Sequence, residues 1–148
     1  MSETNVTFPA GLDEVKRVLP HREPFIWVSR IVSCEYGKSC VAELDVSPDL
    51  DIFRGHFPGH PVLPGVILME ALAQTSCYCL MGGEDMAGKL GFFATIDGAK
   101  FRHQVLPGDT VRLESTIVKA TKRLCKAEVK AYVGDNLVAE ASQSYVLG

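Results

Sequence analysis

The second half of the chain reads as four strands. Residues 90–100 form the first run. Val111, Leu113 and Ile117 then alternate with Arg112, Glu114 and Thr116, and Ala127, Val129, Ala131 and Val133 alternate with Lys126, Glu128, Lys130 and Tyr132. Leu137, Ala139, Ala141, Tyr145 and Leu147 share a last face. A period of two is the mark of a strand with one dry face. Pro107-Gly108-Asp109 and Gly134-Asp135-Asn136 supply turns between the runs. The first half opens with a short helix over residues 12–19, stopped by Pro20. A β-branched and aromatic run at 25–35 predicts a strand, Tyr36-Gly37-Lys38 a turn, and Cys40, Ala42, Leu44 and Val46 a second, half-buried strand. Residues 48–65 are dense in proline and glycine and read as loop.

Residues 64–81 break this pattern. Nearly every residue is apolar, the exceptions being Glu70, Gln74, Thr75 and Ser76. Pro64 suits a first helical position and Gly82-Gly83 a stop, so the spacing predicts one helix about 27 Å long. A helix apolar nearly all round is normally wrapped by protein. A membrane span would strand Glu70 and Gln74 near its middle, so none is expected. The sum is an α+β architecture: a mostly antiparallel sheet whose dry face is covered by one long apolar helix.

Composition narrows the class further. The chain has 148 residues, 47% hydrophobic and 22% charged, which suits one domain over residues 1–148 and excludes disorder. Fifteen basic against eighteen acidic residues give a formal charge of −3, which argues against a nucleic-acid partner. Five cysteines without a C-x-x-C pair read as free thiols, and the polar stretch 1–10 carries no targeting signature, so a cytoplasmic protein is expected.

Candidate chemistry gathers around the long helix. Glu70 sits nearly two turns into it, where desolvation would raise a carboxyl pKa toward that of a general acid. A structural glutamate bonded to backbone or to a second subunit is the alternative. The loop just ahead, Arg54-Gly55-His56-Phe57-Pro58-Gly59-His60-Pro61-Val62-Leu63-Pro64-Gly65, carries His56, an imidazole able to take a proton near neutrality. Its prolines and glycines make a rigid segment suited to aiming a side chain. Gly65 lies where a free helix N-terminal N–H can meet a carbonyl oxygen. His56 and His60 have the spacing of a helical zinc pair, but Pro58 and Gly59 between them forbid the helix, so no metal is expected. Ser76, Cys77 and Cys79 read as core rather than as nucleophiles. Lys119, Lys122, Arg123 and Lys126 form a basic cluster, either a solvated strand end or a dock for an acidic partner.

These residues resemble the β-hydroxyacyl-acyl-carrier-protein dehydratases of FabZ type. Leu19-Pro20-His21-Arg22 with Pro24-Phe25 is similar to that family's opening motif. Gly55-His56-Phe57-Pro58, Pro61-Val62-Leu63-Pro64-Gly65-Val66 and Glu70-Ala71-Leu72-Ala73-Gln74 are similar to its central signature. Phe101-Arg102 with Pro107-Gly108-Asp109 is similar to a later run. Ser29, Glu23, Gly98 and His103-Gln104 depart from the family's usual residues, none at the central pair.

The resemblance implies a hotdog fold, in which the sheet wraps the helix. It also implies a homodimer, often assembled as a trimer of dimers, with no cofactor and no metal. The substrate implied is a (3R)-hydroxyacyl chain on the phosphopantetheine arm of an acyl carrier protein. His56 would be the base, Glu70 of the opposite subunit the acid, Gly65 the donor to the thioester carbonyl, and Gln74 a supporting group. Phe92 and Phe93 are expected to wall an acyl tunnel between the helix and the strand at 90–96. Three other readings stay open: an added trans-2 to cis-3 isomerase activity, a hotdog thioesterase, and a non-catalytic acyl-binding module.

Overall fold

The computed structural model describes residues 6–83 and 88–148; the start of the polar N-terminal stretch lies outside the described residues. Helix α1 (Leu12–Val18) is followed by strands β1 (Arg30–Glu35) and β2 (Ser39–Asp45) and a short 3-10 turn at Asp51–Arg54. Next come the long helix α2 (Gly65–Met81) and strands β3 (Gly91–Phe101), β4 (Thr110–Ala120), β5 (Leu124–Val133) and β6 (Asn136–Leu147). All pairings are antiparallel, in the order β1-β2-β4-β5-β6-β3.

The alternation read from the sequence is the alternation of burial. On β5, Cys125, Ala127, Val129 and Ala131 are buried while Leu124, Lys126, Glu128 and Lys130 are exposed. Ala42, Ala127, Ala131, Ala139 and Ala141 are among the buried residues of the sheet, and such small side chains leave room for a helix. Helix α2 fills that room. From Leu68 to Met81 all of its residues are buried except Glu70. This is the hotdog arrangement.

Polar side chains where the helix meets the sheet are paired. Ser76 Oγ lies 2.6 Å from Ser115 Oγ, Tyr145 OH lies 2.9 Å from Ser76 Oγ and 2.5 Å from Gln143 Oε1, and Gln143 Nε2 donates to Met69 O at 3.0 Å. The helix is thereby keyed to β4 and β6, and a helix slipped by one residue would leave these groups unpaired.

One expectation changes. The first strand begins at Arg30 rather than residue 25, because the backbone of Phe25 and Trp27 bonds to the Gln74 side chain instead of to a neighbouring strand. Strand β3 is an edge strand whose residues beyond Gly91 are all exposed, Phe92 at 58% and Phe93 at 40%. Ile96 and Phe101 are exposed on the same edge. A long apolar edge strand presents an unpaired ladder to any complementary strand.

Candidate active site

The 3-10 turn aims the loop that follows it. Phe53 is buried beneath it, and the N–H groups of Gly55 and His56 both donate to Ile52 O, at 3.2 and 3.0 Å. The chain then doubles back: Phe57 and His60 exchange backbone hydrogen bonds of 3.1 and 2.8 Å, and Val62 N–H donates to His56 O at 3.0 Å. Gly59 takes φ +75° at the tip, a conformation that a side chain would strain. Leu63 N–H donates to Val105 O at 2.8 Å, fixing the loop's exit against the segment after β3.

The His56 ring is held on two sides. It stacks on Phe57 with centroids 4.0 Å apart, and Nδ1 lies 2.8 Å from Val62 O. A carbonyl can only accept, so Nδ1 carries a proton, and Nε2 is the ring nitrogen left without this partner.

His56 shares a cleft of about 390 Å³ with Val62, Gly65, Leu68, Phe101 and His103. Gly65 opens α2 directly after Pro64, which caps the helix with extended backbone instead of forming its first turn. Carbonyl Pro64 O receives the N–H groups of Ile67 and Leu68, so the first N–H groups of α2 point along the axis without intrahelical partners. The Phe101 ring lies against Gly65 so closely that a Cβ there would come within 2.8 Å of it. The glycine therefore lets an aromatic wall and a helix N-terminus meet at one point.

Glu70 is not in this cleft. Five residues of α-helix carry it about 140° around the axis from Gly65. The sequence reading buries this carboxyl; in the single chain its side chain is 20% exposed. Its position is nevertheless fixed. Gln74, 1% exposed, accepts from Trp27 N–H at 2.8 Å and donates through Nε2 to Phe25 O and to Glu70 Oε2, both at 3.0 Å. The two backbone bonds allow only one orientation of the amide, so Gln74 must donate to Glu70. Gln74→Leu is expected to leave two backbone groups unpaired, costing about 2–5 kcal/mol in chemical denaturation, and to lower turnover as Glu70 loses its anchor; unchanged stability and kcat would refute the clamp.

Sequence reasoning passed over His21, quoted only within a motif. Its Nε2 lies 3.7 Å from Glu70 Oε2. Burial holds this imidazole below the ordinary histidine range, against the pull of the Glu70 carboxylate. Cys77, one turn beyond Gln74, is buried and its thiol is pushed up to about 12 by desolvation, which suits core packing and not nucleophilic attack. Among the described residues no cluster of three or more His, Cys, Asp or Glu could hold a metal ion.

Comparisons with known proteins give the family. A FabA-like domain model matches residues 19–142. The 3-hydroxyacyl-[acyl-carrier-protein] dehydratase FabZ of Listeria welshimeri is 46% identical over 136 residues, spanning 92% of this chain and 94% of that protein. The chain belongs to the FabZ-type dehydratase family. The FabZ of Alkaliphilus metalliredigens is likewise 46% identical, over 90% of this chain and 91% of its own. Among solved structures, the dehydratase heterocomplex ApeI:P from Xenorhabdus doucetiae superposes with a TM-score of 0.76 at 17% identity, over 97% of this chain and 93% of that one. At that identity the likeness shows the fold alone. The stretch Gly55 to Gln74 supplies one side of the His56 cleft, the start of α2 and the Glu70–Gln74 clamp.

Proposed function

We infer that the chain is a 3-hydroxyacyl-[acyl-carrier-protein] dehydratase, a hydro-lyase of fatty acid biosynthesis, with His56 as base and Glu70 as acid. The observation that carries the assignment of roles is the hydrogen bond from His56 Nδ1 to Val62 O, which leaves Nε2 as the nitrogen free for substrate on a residue that lines one cleft with the start of α2. His56 Nε2 takes the α-proton of a (3R)-hydroxyacyl thioester while the Gly65 N–H, aided by the helix dipole, holds the developing enolate oxygen. Glu70 gives its proton to the departing β-hydroxyl. The products are a trans-2-enoyl thioester and water. The substrate arrives on the phosphopantetheine arm of an acyl carrier protein.

The acid comes from a second copy of the chain. Glu70 looks away from its own chain's His56 cleft, and the bare apolar edge of β3 offers the surface on which a second copy would pair. Covered in this way, Phe92 and Phe93 become the walls of an acyl tunnel. A homodimer is the smallest complete enzyme, and trimers of dimers are its larger assembly. Among the described residues no helix is long and apolar enough to cross a membrane. The five cysteines are free thiols, four of them buried, which supports a reducing cytoplasm.

The test is addition of water to trans-2-enoyl thioesters of graded length, on carrier protein and on coenzyme A, with product isomers separated. A 3-hydroxyacyl product, formed faster on carrier protein, is expected. Absence of any hydration or dehydration across the series would overturn the assignment.

A further inference from the structure

The turn between α1 and β1 holds a second imidazole against the acid. Arg22 fixes this turn: its guanidinium donates to Leu19 O at 2.9 Å, His21 O at 2.6 Å and Lys16 O at 3.2 Å. Phe25 N–H then returns to Arg22 O at 2.7 Å. Leu19, 1% exposed, anchors the turn in the core. His21 projects from it with Nε2 toward Glu70 Oε2 at 3.7 Å, while its Nδ1 is buried with no hydrogen-bond partner. A buried, unpartnered ring nitrogen is costly to keep.

The geometry points to His21 as a positioning residue for the acid: its neutral Nε2–H faces the Glu70 oxygen that Gln74 already holds, and closes on it as the carboxylate forms. Two donors then converge on Oε2, so Oε1 is the oxygen that carries the proton to the leaving hydroxyl. The charged groups acting on His21 are Glu70, from α2, and Arg22, from its own turn. Burial and Arg22 keep the ring neutral, and a neutral ring can still donate. At 3.7 Å the contact is weak with Glu70 protonated and strengthens as negative charge develops, so it favours the transition state over the bound substrate.

This proposal rests on Glu70 being the acid, and its test separates the two. His21→Gln keeps an N–H near the Nε2 position, whereas His21→Met keeps the volume and removes the donor. His21→Met is expected to lower kcat roughly 10- to 100-fold with KM within about twofold, and His21→Gln to recover most of the loss. Removing a donor to the carboxylate raises the acid's pKa, and the acid works protonated. The basic limb of the kcat/KM profile for dehydration therefore moves to higher pH in His21→Met and stays in place in His21→Gln. Wild-type kcat and pH profile in His21→Met, or equal losses in both variants accompanied by a matching fall in Tm, would overturn the role. A fully active Glu70→Gln would instead remove the acid assignment itself, whatever the His21 variants do.

Discussion

His56→Ala is expected to lower kcat for dehydration by about 10²- to 10⁴-fold while leaving the fold intact. The expectation follows from what the ring does in the structure. One nitrogen is spent on Val62 O, the face is spent on Phe57, and His56 lines the cleft that Gly65 also lines. The ring carries little of the core, since the loop is closed by backbone hydrogen bonds from Phe57, His60, Val62 and Leu63 that alanine preserves. Circular dichroism and thermal melting should therefore match the wild type, and substrate should still bind. A variant retaining more than about a tenth of wild-type kcat would fall outside the range for a general base and overturn the role.

Glu70→Ala is expected to be equally impaired, and mixing it with His56→Ala to restore activity. If each site takes His56 from one chain and Glu70 from the other, a mixed dimer has one site with both defects and one intact site. Random re-association makes half of the dimers mixed, so about a quarter of wild-type activity returns on co-refolding. Two inactive proteins that stay inactive when mixed, with mixed dimers verified by differential tags, would place both groups in one chain's site. That outcome would contradict the reading of Glu70 as facing out of its own chain's His56 cleft.

Much of the fold was legible because burial of a sheet face forces a period of two and burial of a whole helix removes periodicity. Strands β4, β5 and β6 and helix α2 appear within a few residues of where the pattern puts them. The loop was legible through its prolines and glycines, although the 3-10 turn at Asp51–Arg54 was not, being too short to show a period. Where prediction failed, a long-range contact had replaced a local one. Residues 25–29 have strand-like composition, yet Gln74 takes the hydrogen bonds of Phe25 and Trp27 from nearly fifty positions away. Glu70 lies among buried sequence neighbours, yet its own side chain is 20% exposed in the single chain.

From sequence alone came the α+β class, the order of elements, and the pairing in one motif of an oriented histidine loop with a carboxylate on an apolar helix. These rest on local chemistry: side-chain periodicity, proline geometry and the few residue types able to move a proton near neutrality. The tertiary structure alone decided which His56 nitrogen bonds to Val62 O, that Gln74 and His21 both lie nearest one oxygen of Glu70, and that β3 lies bare at the sheet's edge. Those facts depend on distances between segments far apart in the chain, and a linear pattern fixes which groups exist but not which of them meet.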